Sequence, residues 1–121
     1  MTDTAAIADR YIAVWNETDA ERRRALLART FTESGTYRDP LMQAEGHEQI
    51  GALVDAVHTR FPGFRFALAG RADGYGDRIR FSWEFGPEGG EGLIKGTDFA
   101  VLDGERLQAV TGFLDQVPAG A

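Results

Sequence analysis

Apolar residues recur at helical spacing through the first half of the chain and at every second position through the rest. Ile7, Tyr11, Val14 and Trp15 lie at i, i+4, i+7 and i+8, the stripe of an amphipathic helix. Thr2 or Thr4 is the expected cap, with Asp3 in the favourable first turn. Asn16-Glu17-Thr18-Asp19 breaks this helix and caps a second, charged one from about Ala20 to Arg29 that turns Leu26 and Leu27 inward. Arg22, Arg23 and Arg24 are consecutive, so they fan over different helix faces and read as solvated surface. Phe31 to Gly35 reads as a connector and Leu41 to Gly46 as a loop. A third helix carries Ile50, Leu53, Val54, Val57 and Phe61 on one side and stops at Pro62-Gly63.

From Phe64 the period becomes two. Phe64, Phe66 and Leu68 alternate with Arg65, Ala67 and Ala69, and Gly74-Tyr75-Gly76-Asp77 turns the chain. Ile79, Phe81, Trp83 and Phe85 then alternate with Arg78, Arg80, Ser82 and Glu84. The glycine-rich stretch Gly86 to Gly92 lacks the lysine and strand-to-helix setting of a phosphate loop, so it reads as a hairpin end. A long strand from Leu93 to Leu102, the turn Asp103-Gly104 and a last strand from Arg106 to about Val117 complete the chain. Three helices on one face of a curved antiparallel sheet make an α+β domain occupying residues 1–121. Strict alternation in the last strand sets Leu107, Ala109, Thr111 and Phe113 against Gln108, Val110, Gly112 and Leu114. Apolar residues on both faces imply a covered outer face. The expectation is a homodimer through Phe99, Val101, Val110 and Leu114.

The segment Gly35-Thr36-Tyr37-Arg38-Asp39-Pro40 concentrates candidate chemistry. Proline holds the preceding residue in extended backbone, so Asp39 ends a short strand. Alternation then puts the Tyr37 phenol and the Asp39 carboxylate on one face. Asp39 also suits a turn starter. Asp98 lies in phase with Ile94, Ala100 and Leu102, an acid on an apolar face, and buried acids are rare unless paired or protonated. Tyr11 sits on an apolar helix stripe, where a core role competes with a catalytic one.

The net charge of −6 argues against a nucleic-acid partner. The absence of cysteine removes disulfides, thiolate nucleophiles and cysteine-held metals, and two histidines give little for a histidine-rich metal site. No apolar run approaches a membrane span and no secretory pattern opens the chain, so a soluble cytoplasmic protein without metal or cofactor is expected.

Four motifs in series resemble the NTF2-like superfamily, its SnoaL-like and ketosteroid-isomerase-like proteins above all. They are Tyr11-Ile12-Ala13-Val14-Trp15-Asn16 leading to Asp19, Asp39-Pro40, Gly46-His47-Glu48-Gln49-Ile50, and Gly96-Thr97-Asp98-Phe99. The resemblance implies a cone, with a bent sheet wrapped around helices, a deep apolar pocket and usually a dimer. It also implies roles: Tyr11, five residues before Asn16, as the catalytic tyrosine, Asp39 as the base and Asp98 as the protonated aspartate. The segment between Asn16 and Asp39 is longer than in the isomerases, and the hairpin after Asp98 differs.

The function these residues suggest is proton transfer on a small apolar carbonyl compound. Asp39 takes the proton, while Tyr11 and a neutral Asp98 donate to the enolate oxygen. Trp15, Tyr37, His58, Phe66, Trp83 and Phe113 are the expected pocket lining. A non-catalytic ligand-binding or dimerisation module is the alternative, since this fold carries many functions. A dehydratase is another, as is an epoxide hydrolase. The last needs an arginine between two aspartates, and alternation turns Arg80, the nearest, away from Phe81 and Trp83.

Overall fold

Helix α1, Thr4–Asn16, begins where the Asp3 carboxylate accepts the Ala6 N–H at 3.0 Å. Asp3 is thus the cap, in place of Thr4, which is the first helical residue; Thr2 lies outside the described residues. The structure is a computed structural model that describes residues 3–118. Helix α2, Ala20–Thr30, starts on Asp19, whose carboxylate accepts the Arg22 N–H at 2.9 Å. It runs directly into strand β1, Phe31–Arg38. The expected connector is therefore the first half of a strand, because β6 offers it a parallel partner, with Phe31 opposite Leu107. Within the expected loop, β2 (Gln43–Glu45) pairs back on Thr36 to Arg38. Helix α3 is Gly46–Arg60, followed by β3 (Phe64–Tyr75), β4 (Arg78–Pro87), β5 (Ile94–Asp103) and β6 (Arg106–Gln116).

The strands form one sheet in the order β2-β1-β6-β5-β4-β3, antiparallel except where β1 meets β6. Helix α1 packs on β3 and α3 on β1, so the inner face closes over a core of Ile7, Tyr11, Trp15, Phe31, Ile50, Val54, Phe81 and Val110 among others. Among the described residues no helix is long and apolar enough to cross a membrane.

One irregularity in β6 decides which residues face that core. Val101 pairs with Ala109, whereas Leu102 pairs with Leu107, so Gln108 is an extra residue without a partner on β5. A bulge of this kind bends the strand and reverses its phase. Leu107 faces inward before it, and Val110 and Gly112 face inward after it. Val110 is core and Leu114 half-buried, not the outer-face pair that strict alternation gave. Phe113, expected in the pocket, is 58% exposed on the outer face, which it shares with Phe99.

Arg23 corrects the reading of the arginine run. It is buried, donating to the Glu17 carbonyl at 2.9 Å and to Asp55 at 2.7 Å, and so ties α2 to the end of α1 and to α3. Arg22 and Arg24 remain exposed.

Candidate active site

Two phenol–carboxylate pairs meet on the inner face of the sheet. The Tyr11 hydroxyl, from α1, donates to Asp98 Oδ2 on β5 at 2.6 Å. The Tyr37 hydroxyl, from β1, donates to Asp39 Oδ2 at 2.6 Å, as their shared strand face requires. Asp39 also ends β1 as a turn starter. Its Oδ1 accepts the Leu41 and Met42 N–H groups at 2.8 and 2.9 Å, and its own N–H donates to the Met42 carbonyl at 2.9 Å.

Gly112 is what lets the pairs approach. It lies opposite Asp98 in the β5–β6 ladder, next to the β6 residue that pairs with Arg38. A β-carbon on Gly112 would sit 2.8 Å from Asp98 Oδ1, 3.3 Å from Asp39 Cβ and 3.4 Å from the Tyr37 hydroxyl. Only a residue without a side chain leaves that space to the three groups. On the same β5 face, the Trp83 indole lies across Gly96, where a β-carbon would collide with its ring. Glycines inside strands signal such close approaches, and that was the available sequence sign for Gly112.

Burial dominates the electrostatics. Asp98 is 1% exposed, and its Oδ1 has no hydrogen-bond partner. Burial pushes this carboxyl up to about 6; the Tyr11 hydrogen bond and the Trp83 indole pull it down, and the Asp39 charge pushes it further up. Burial also raises the Tyr11 hydroxyl well above the usual phenol range, with the Asp98 charge acting in the same direction. Tyr37 is raised by burial, then by the Asp98 charge and its bond to Asp39. Both phenols are therefore donors at neutral pH, while Asp98 titrates close to it.

Aromatic rings close the site. Trp15 packs on Tyr37 and Tyr11 with centroids 5.1 and 6.3 Å apart, and Phe66 stands edge-on to Trp15 and Trp83. Of the candidates read from the sequence, the structure brings together Tyr11, Asp98, Tyr37 and Asp39, with Trp15, Trp83 and Phe66 around them. It leaves out Phe113, and it occupies His58 elsewhere. His58 Nε2–H donates to the Trp15 carbonyl at 2.6 Å, which fixes α3 to the end of α1. Arg80 points outward to Asp73 at 3.2 Å, both exposed.

Two surface concavities, of about 280 and 530 Å³, lie around Asn16 and Arg65. Neither borders Asp39 or Asp98. Among the four polar groups only Asp39 is partly exposed, beside the exposed Pro40-Leu41.

The SnoaL-like domain family model matches residues 8–110, a span that includes all four polar residues. The chain belongs to the SnoaL-like family. A SnoaL-like protein from Agrobacterium tumefaciens strain C58, provisionally called an isomerase, is 46% identical, with 95% of this chain and 99% of that one covered and a TM-score of 0.89. More distant structures share the fold. A protein of ketosteroid isomerase-like fold from Catenulispora acidiphila, solved with trimethylamine, has 18% identity and a TM-score of 0.73 over 91% of this chain and 85% of its own. An NTF2-like protein of unknown function from Cytophaga hutchinsonii has 13% identity and a TM-score of 0.68 over 95% and 92%. No curated protein matches the chain. The SnoaL-like domain here is thus an α+β NTF2-like fold whose inner face carries two tyrosines and two aspartates.

Proposed function

We propose that this SnoaL-like protein catalyses acid–base chemistry of isomerase or cyclase type on a small apolar carbonyl compound. The observation that carries this reading is the meeting of Asp98 Oδ1, Asp39 and the Tyr37 hydroxyl around Gly112, with Tyr11 bonded to Asp98. Asp39 takes a proton from the carbon next to the carbonyl, and the C–H electron pair becomes the enolate double bond. The charge arriving on oxygen is met by Tyr11 and by neutral Asp98. A protonated Asp98 can donate to the Tyr11 oxygen, which frees the Tyr11 proton for the substrate. Asp39 later returns the proton to carbon, and this chemistry needs no metal or cofactor. The rings pack closely around the acids, so the reading includes an opening to a deeper pocket beside Asp39, at Pro40 to Met42.

The test is deuterium exchange into a panel of cyclic ketones and turnover of an activated β,γ-unsaturated ketone, followed by NMR. Asp39→Asn should abolish both while the fold persists, and Asp98→Asn should cost less because an amide still donates. Wild-type exchange rates in Asp39→Asn, or no exchange with any ketone, would refute the catalytic reading.

A second reading is a non-catalytic binding module. Three aromatic rings, Tyr11, Trp15 and Tyr37, surround a buried carboxylate here, and the Catenulispora acidiphila neighbour holds trimethylamine. Rings and a carboxylate together suit a compact ammonium ion.

Self-association belongs to the proposal as well. The exposed Phe99 and Phe113 give the outer face an apolar character that a second copy would cover. Phe113→Lys should convert a dimer to monomer by light scattering; a monomeric wild type at micromolar concentration removes this part.

A further inference from the structure

Two buried polar atoms beside the Tyr11 hydroxyl lack partners, and they differ in what they can accept. Asp98 Oδ1 is one, and Trp15 Nε1 is the other, on a side chain that is 3% exposed. An unsatisfied buried donor costs on the order of 1–3 kcal/mol, so such atoms are normally matched by a partner. The Trp15 indole N–H lies close enough to the Tyr11 oxygen to favour its ionised form, although no hydrogen bond joins them. It therefore borders the same point as the Tyr11–Asp98 pair. The carboxyl can accept or donate according to its proton, whereas the indole N–H only donates. A group that satisfies both atoms must accept a hydrogen bond, which an alkylammonium cannot do.

We propose that the Trp15 indole N–H is a donor to the bound ligand and that the ligand presents a compact oxygen acceptor, a carbonyl or hydroxyl, shared between Trp15 and Asp98. This inference rests on the proposed function and narrows it. Trp15 becomes a binding residue in its own right, a third donor beside Tyr11 and Asp98. It also separates the two readings of the site: an oxygen acceptor fits the full set of unpartnered atoms, and a cation fits only the carboxylate.

Phenol is a suitable probe, since its hydroxyl both accepts and donates, and toluene matches its shape without the oxygen. The chain has two tryptophans, so each indole N–H resonance of ¹⁵N-labelled protein is assigned by replacing one of them. Phenol should move the Trp15 indole proton downfield and shift the Asp98 carboxyl resonance, and toluene should do neither. Trp15→Phe should lower the preference for phenol over toluene by about tenfold, the size of one hydrogen bond, where a mere packing loss would weaken both equally. Should that variant fail to fold, the indole shift in the wild-type protein still decides, with Trp83→Phe for assignment. Phenol binding that moves Asp98 but leaves the Trp15 proton in place overturns the role of Trp15 and spares the proposed site. If phenol moves neither residue, the site itself is wrong. Tetramethylammonium binding that displaces phenol and shifts Asp98 overturns the assignment of an oxygen acceptor.

Discussion

The pairs Tyr11–Asp98 and Tyr37–Asp39 have the same chemistry and the same 2.6 Å hydrogen bond, yet their surroundings differ. Asp98 lies in mid-strand among apolar neighbours, with one oxygen unpartnered. Asp39 stands at a strand end, half-buried, with one oxygen on Tyr37 and the other on two backbone N–H groups. A carboxylate that accepts backbone donors beside water keeps its charge comfortably. One surrounded by rings does not, and burial raises its pKa. Two identical functional groups thus become a base and a donor through placement alone, and acid–base chemistry near pH 7 requires that separation.

The largest expected effect comes from erasing the buried charge. Folded Asp98 keeps its proton up to about pH 6, against an ordinary 3.8, so the folded chain holds a proton that the unfolded chain has lost between those values. The stability this gives is fully present below about pH 4 and is lost as the pH rises through 6. The loss amounts to about 3 kcal/mol at 1.36 kcal/mol per pH unit. Asp98→Asn lacks this titration. It should match the wild type in urea unfolding at pH 4 and exceed it by up to about 3 kcal/mol at pH 8. Equal stability of the two proteins at pH 8 would mean that Asp98 is charged at little cost.

Next comes the point where the pairs meet. Gly112→Ala places a methyl 2.8 Å from Asp98 Oδ1, and neither the β5 backbone nor the Tyr11 bond yields easily. Overpacking of this kind costs about 1–3 kcal/mol. It should also lower the Asp98 midpoint if the carboxylate is pushed toward solvent. Gly104→Ala, in the β5–β6 turn with φ of 66° and open space around it, controls for the loss of a glycine by backbone strain alone.

The site was legible in the sequence wherever local rules suffice. Period two placed Tyr37 and Asp39 on one face and Asp98 on the apolar face of its strand, and these relations survive because each spans only two or four residues. Phe113 and Val110 were misplaced because a single residue, Gln108, drops out of the ladder with β5. Its side chain instead accepts from the Thr32 hydroxyl at 2.8 Å, a partner 76 positions away. Nothing local announces that. The burial of Arg23 depends likewise on Asp55 in another helix, and the engagement of His58 on a carbonyl in α1. Strand β2 is only three residues long and exists because β1 has an open side to pair with.

The smallest expected effect separates the two tyrosines. Tyr11 bonds directly to Asp98 and holds its carboxyl down against the pull of burial, so Tyr11→Phe should raise the Asp98 midpoint above its value of about 6. Tyr37 bonds to Asp39 and not to Asp98, so Tyr37→Phe should move that midpoint less. Its stability cost should be modest, about 1 kcal/mol, because Asp39 retains the Leu41 and Met42 N–H groups. Tyr11→Phe should cost more at pH 8 than at pH 4, since the carboxylate loses its one hydroxyl donor when it is charged and needs it most. Carboxyl ¹³C titration of both variants measures the midpoints, and urea unfolding at the two pH values measures the costs. If the two replacements shift Asp98 equally, the four groups behave as one coupled network. The division into a buried donor pair and a solvated base pair would then have to be abandoned.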